Sequence, residues 1–182
     1  MMQKTSQKIL LIEDNEFLIR DIKEHVLGNY EVYTPTKGKS FKTEALRILE
    51  EEKINLVILD LNLDSTKEDG RDVLKAIREK YPQKEELPVL VLTLLAEAAI
   101  SPGGTNSVAK LANGILRKQC ILETAGINEM KRVVTSMINN PLMYCPNGYA
   151  KLIDVSSEIT IPPMPGDDYL VTETKKMKGL KE

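Results

Sequence analysis

The sequence predicts an α/β domain: a doubly wound parallel sheet of five strands with helices on both faces, followed by a short irregular C-terminal extension. Two observations carry that expectation. Short runs that are apolar throughout recur along the chain, and each is followed by a stretch whose apolar residues return at helical spacing. Strands covered on both faces need continuous apolar side chains, whereas a sheet with one wet face shows alternation. Composition agrees, since 42% apolar and 29% charged residues in a chain of 182 are ordinary for a globular protein.

The first run, Lys8 to Ile12, ends at Glu13-Asp14, after which Phe17, Leu18, Ile22, Val26 and Leu27 mark a helix that Gly28-Asn29 stops. Tyr30 to Tyr33 is a brief second strand. Phe41, Ala45, Leu46, Ile48 and Leu49 give a second helix, with Glu50, Glu51 and Glu52 on its solvated face, and Ile54 to Leu59 is the most hydrophobic strand. A long loop, Asp60 to Asp69, leads to Gly70, which opens a helix through Val73, Leu74 and Ile77 that stops before Pro82. Pro88 introduces strand four, Val89 to Leu92. In the stretch from Leu94 to Asn113, Ser101-Pro102-Gly103-Gly104 signals a loop and Val108 to Ala112 one or two helical turns. Gly114 to Arg117 is the fifth strand, and Ile127, Met130, Val133, Val134, Met137 and Ile138 form the last helix, closed by Pro141.

The domain is thus expected over residues 7–140. Residues 141–182 break the pattern, with Pro141, Pro146, Pro162, Pro163 and Pro165 crowded among small apolar patches. That segment is too short for a core of its own and is expected to be docked on the domain or partly disordered. Tyr144, Tyr149, Ile153 and Ile159 are the residues that could dock it.

Charge and residue usage exclude several function classes. With 25 basic and 27 acidic side chains the net charge is -2, so no field exists to collect phosphate backbones or anionic lipid, and no nucleic-acid partner is expected. Residues 141–182 carry five lysines against six acids, which offers no basic recognition helix. Apolar runs such as Val89 to Leu95 fall far short of the roughly 20 residues of a membrane span, which points to a cytoplasmic protein. Two cysteines, Cys120 and Cys145, and a single His25 supply neither a disulfide framework nor a zinc site. Chemistry must come from carboxylates, hydroxyls and lysines.

In a doubly wound sheet, function sits at the carboxyl ends of the strands. Strand one ends in Glu13-Asp14, strand three in Asp60 and strand four in Thr93, while strand five runs into Lys118. Carboxylates gathered so closely raise one another's pKa unless a cation is present, and a sparse all-oxygen cluster suits Mg²⁺. Lys118 and Thr93 could then meet the oxygens of an incoming phosphoryl group.

These residues, in this order, resemble a response-regulator receiver domain, the phosphoacceptor module of two-component signalling with a flavodoxin-like fold. The resemblance covers Lys8 to Asn140 and rests on Glu13-Asp14, Val57-Ile58-Leu59-Asp60-Leu61, Asp69-Gly70, Thr93 and Gly114-Ile115-Leu116-Arg117-Lys118. It implies strand order 2-1-3-4-5, with Asp60 the phosphoacceptor and Thr93 and Lys118 contacting the phosphoryl group. It further implies Mg²⁺ held by Glu13, Asp14, Asp60 and the backbone carbonyl of Asn62. The implied partners are a histidine kinase or phosphotransfer protein and a downstream protein, with a homodimer as an option. Such a module is a signalling acceptor and not an enzyme in its own right, beyond its own phosphorylation and dephosphorylation.

The chain departs from the family pattern at several points. Ile115 stands where an aromatic residue accompanies the switch hydroxyl, Gln119 where a proline follows the lysine, and Leu94 and Leu95 where small or polar residues border the site. The loop from Leu63 to Asp69 is longer than usual. A second reading, an unphosphorylated domain acting as a constitutive interaction surface, draws on these departures. An aspartyl-phosphate hydrolase would need an acid two residues after the nucleophile, where Asn62 stands.

Overall fold

The computed structural model describes residues 6–63, 68–94, 108–119 and 123–153. In chain order its elements are β1 (Lys8–Ile12), α1 (Glu16–His25), β2 (Glu31–Tyr33), α2 (Phe41–Glu51), β3 (Leu56–Asp60), β4 (Asn62–Leu63) and β5 (Glu68–Asp69). There follow α3 (Gly70–Lys80), β6 (Val89–Thr93), α4 (Val108–Leu111), β7 (Gly114–Arg117), α5 (Thr124–Asn139) and β8 (Leu152–Ile153). The main sheet has the order β2-β1-β3-β6-β7-β8, and every neighbouring pair in it is parallel. Its first five strands stand in the order the sequence resemblance implied.

Alternation along each strand splits the core into two layers. Leu10, Ile12, Val57, Leu59, Val91 and Ile115 point to the layer that holds Phe41 and Ile48 of α2 and Leu74 and Ile77 of α3. Ile9, Leu11, Ile58, Leu90, Leu92 and Leu116 point to the opposite layer, with Ile22 of α1 and Met130, Val133, Val134 and Met137 of α5. β3 and β6 are buried at every position, as their unbroken apolar sequences require.

Local signals start the helices. Asn15 caps α1 by accepting from the backbone N–H groups of Phe17 and Leu18, Ser40 caps α2 from Thr43, and Asp69 caps α3 from Arg71. The cap of α1 is therefore Asn15, one residue after the acidic pair. Phe17, expected on the buried stripe, is 71% exposed: Leu18 and Ile22 define that stripe, and Phe17 lies off it in the first turn, its ring 5.5 Å from the Arg20 guanidinium carbon.

The main correction concerns the strand count. The sheet has six strands, because β8 from the C-terminal segment pairs parallel with β7, Leu152 opposite Ile115 and Ile153 opposite Leu116. The chain reaches that position through Asn147 and Gly148, both in left-handed backbone, at φ 61° and 80°. Lys84 anchors the turn, its Nζ donating to the carbonyls of Ala112 (2.7 Å) and Gly148 (2.8 Å). Asn113 ties the segment from beneath by donating to the Pro141 carbonyl at 2.9 Å, and accepts from the buried Arg78 guanidinium at 2.7 Å. Burial lowers Arg78 to about 10, which leaves it charged at neutral pH. Tyr144 packs against the core and Ile153 is buried, while Tyr149 is exposed. Leu95, Cys120 and Ile159 lie outside the described residues, as does everything after Ile153.

A second difference is the antiparallel pair β4–β5, Asn62 opposite Asp69 and Leu63 opposite Glu68, in the segment read as a long loop. Two residues on each side give no periodicity for sequence reasoning to find.

Candidate functional site

Glu13, Asp14, Asp60, Thr93 and Lys118 lie at or just past the carboxyl ends of their strands, and Asn62 opens β4 two residues after Asp60. Asp60 is the last residue of β3 and Thr93 the last of β6, both fully buried, and Lys118 follows β7 directly. The register puts Leu92 opposite Asp60 and Arg117 opposite Thr93, so the parallel ladder itself brings Asp60, Thr93 and Lys118 to one edge. Glu13 and Asp14 enter the same edge from β1, whose Ile12 is opposite Leu59.

The three carboxylates converge. Glu13, Asp14 and Asp60 each offer a ligand oxygen within 4.8 Å of the others. Lys118 Nζ donates to Asp60 Oδ2 at 2.5 Å and lies 2.9 Å from Glu13 Oε2. Asp60 Oδ1 accepts from the Asn62 backbone N–H at 3.0 Å, and Glu13 Oε1 accepts from the N–H groups of Asp14 (3.2 Å) and Asn15 (3.1 Å). Among the described residues the buried Glu13 Oε2 has no partner in hydrogen-bond geometry, although the Lys118 ammonium lies 2.9 Å away.

Electrostatics follow from this crowding. Burial lifts the Glu13 carboxyl to about 7, against the pull of Lys118 and with the charge of Asp60 adding to the rise. Asp60 is also raised, first by burial, with Lys118 and the Asn62 N–H opposing. Burial alone would lower Lys118, but its bonds to Asp60 and Glu13 raise it overall, so it is a fixed cation. One ammonium between these carboxylates leaves an excess of negative charge in a dehydrated place. A divalent cation relieves that excess, and an all-oxygen set with a buried oxygen lacking a hydrogen bond fits Mg²⁺.

Leu94, after Thr93, is 48% exposed at the rim, while Ile115 is wholly buried in the core. Gly70 opens α3 directly against the acceptor: a Cβ there would lie 2.2 Å from the Asp60 carbonyl oxygen and 2.6 Å from Leu61 Cα. The Glu68 carboxylate, on which the sequence carried no motif, accepts from the first N–H groups of α2, Phe41 at 2.6 Å and Lys42 at 3.4 Å. An acid facing a helix start 26 residues away could have been found only from the fold.

Residues 9–125 match the response regulator receiver domain family. An NtrX-like response regulator of Rickettsia bellii (strain RML369-C) is 36% identical over 84 residues, which are 46% of this chain and 16% of that protein. A related protein of Rickettsia felis is 35% identical over 88 residues, 48% of this chain and 18% of the relative. The chain thus spans less than a fifth of the length of these curated relatives. Among solved structures, a CheY-like receiver domain protein from Methanospirillum hungatei JF-1 superposes with a TM-score of 0.54 at 17% identity, covering 74% of this chain and 95% of that one. CheY4 of Vibrio cholerae gives 0.53 at 22% identity, over 72% and 98%. At these identities the structures speak for the fold alone.

Proposed function

Because the chain belongs to the response regulator receiver domain family of two-component signalling, we propose that it works as a phosphoacceptor, with Asp60 the acceptor and Mg²⁺ the required ion. The observation that carries this reading is the convergence of Glu13, Asp14 and Asp60 within 4.8 Å around the Lys118 ammonium. Glu13, Asp14, Asp60 and the Asn62 carbonyl would hold the ion. Bound there, Mg²⁺ supplies charge neutralisation between the carboxylates and an incoming phosphoryl group.

The chain's own residues account for the rest. An Asp60 carboxylate oxygen attacks phosphorus, the bond from phosphorus to the donor nitrogen or oxygen breaks, and the donor leaves with the electron pair, giving an aspartyl phosphate. Lys118, now held on Asp60 Oδ2, is within reach of the phosphoryl oxygens and balances their charge. Thr93, which ends the adjacent strand, would donate its hydroxyl to another. The donor is a histidine kinase or phosphotransfer protein, and a downstream protein, or a second copy of the chain, reads the altered surface. The chain is an acceptor and not a catalyst for other substrates. A constitutive interaction domain would have no use for an electrostatically costly cluster at the strand ends, so the acceptor reading stands ahead of it.

Intact-mass measurement after incubation with a small acyl phosphate tests this reading. One phosphoryl adduct is expected with Mg²⁺, none after chelation, and none in Asp60→Asn. An adduct that survives in Asp60→Asn, or no adduct although Mg²⁺ binds, would overturn it.

A further inference from the structure

The β4–β5 pair links three things that a sequence motif would treat separately. Its first strand contains Asn62, whose N–H holds Asp60 Oδ1 and whose carbonyl belongs to the proposed metal set. Its second strand supplies two helix caps in succession. Asp69, opposite Asn62, accepts from the Arg71 N–H at 2.8 Å at the start of α3, and Glu68, opposite Leu63, accepts from Phe41 and Lys42 at the start of α2. The Gly70 N–H closes the near end of the pair on the Leu61 carbonyl at 3.0 Å. Asn62 is therefore held in a two-stranded clip whose outer strand is fastened to two helix N-termini. Leu61 and Leu63 on either side of it are buried in the same core layer as Phe41.

We propose that Glu68 is a positioning residue for the metal site: by fastening β5 to the start of α2, it fixes the backbone at Asn62 and so sets Mg²⁺ affinity. The inference rests on the acceptor reading. A carboxylate oxygen suits the task because the first N–H groups of a helix lack intrahelical partners and one oxygen can serve two adjacent donors. The helix does not depend on Glu68 alone, since Ser40 caps it independently through Thr43 at 3.2 Å. Metal affinity is sensitive to such outer supports because a backbone ligand cannot recover its place by rotating a side chain.

The test is calorimetric titration of the full chain with Mg²⁺, together with a melting curve for each variant. Glu68→Ala is expected to weaken binding about tenfold, within the range seen when supports of metal ligands are removed. Glu68→Gln, which keeps an acceptor oxygen but not the charge, is expected to stay within about threefold of the parent. Ser40→Ala removes the other cap of the same helix and is expected to lower the melting temperature without weakening Mg²⁺. If Gln weakens binding as much as Ala, the charge and not the fastening matters, and the proposal is overturned. It is overturned also if Ser40→Ala weakens binding equally, or if Glu68→Ala binds like the parent. Should Glu68→Ala fail to fold, Glu68→Asp, which keeps the charge on a side chain one methylene shorter, takes its place in the same comparisons: weakened binding is expected, and binding like the parent's overturns the proposal. A parent chain that binds no Mg²⁺ would instead overturn the acceptor reading itself.

Discussion

At Gly70 one missing methyl group decides how closely a helix can start behind the acceptor. The position needs no unusual backbone; it needs space, because a Cβ would sit 2.2 Å from the Asp60 carbonyl oxygen, and that oxygen is main chain that cannot swing aside. Gly70→Ala must therefore move α3 or the end of β3, and it is expected to cost about 3 kcal/mol in a denaturant titration. A loss well under 1 kcal/mol would show that the two segments part easily. Asp69-Gly70 was readable as a helix start, but not the closeness behind it. The same holds for Glu13, Asp14, Asp60, Thr93 and Lys118: sequence showed them ending strands, and the ladder registers were needed to put Lys118 2.5 Å from Asp60. Glu68 had no such signal, since it meets α2 through the backbone N–H groups of Phe41 and Lys42, which every residue but proline has.

Elements were legible in proportion to their length and periodicity. β3, β6 and α5 have long uniform or periodic sequences and lie close to where the sequence put them, whereas β4 and β5 have two residues each and owe their existence to the segments around them. α2 shows a further feature that periodicity hides, a buried acid on its inner side. Glu44 is held by the Arg47 guanidinium through Nε (3.3 Å) and Nη2 (3.2 Å) and by the Thr36 hydroxyl at 2.8 Å. Arg47 first and Thr36 next keep its carboxyl down at about 2, against an ordinary value of 4.5. A carboxyl whose pKa is lowered by folding stabilises the fold above its ordinary value and loses that contribution as pH falls toward the lowered one. The melting-temperature gap between the parent and Glu44→Gln is thus expected to be full near neutral pH. It should narrow between about 4.5 and about 2, as scanning calorimetry across that range would record. A constant gap would assign the role of Glu44 to its shape and hydrogen bonds, not its charge.

Across the whole molecule the sheet ends one strand later than its apolar runs suggest, for a physical reason. β8 is only Leu152–Ile153, too short to announce itself, and it is placed by groups remote in sequence. The Ala150 N–H donates to the Ala109 carbonyl at 2.7 Å, the Ile115 N–H to the Lys151 carbonyl at 3.1 Å, and Lys84 holds the turn before it. Ile153 enters the core against Gly114, where an added Cβ would come within 3.2 Å of its Cδ1, so small and large residues match across the β7–β8 step. A strand laid on β7 also covers hydrogen-bonding groups that an open edge would offer to other chains. Shortening the chain to residues 1–140 is therefore expected to lower the melting temperature and to promote self-association, while Ile153→Ala in the full chain should cost about 2–4 kcal/mol and leave it monodisperse. Light scattering and a denaturant titration on both proteins separate the two effects. If Ile153→Ala destabilises while the shortened chain stays as monodisperse as the parent, β8 serves the core alone. If the shortened chain melts like the parent, the C-terminal segment is not part of the cooperative fold. The expected result, loss of stability in both and association only in the shortened chain, would make β8 both a core element and the cover for the β7 edge. Because Ile153 is opposite Leu116, two residues before Lys118, that cover also borders the strand that leads into Lys118.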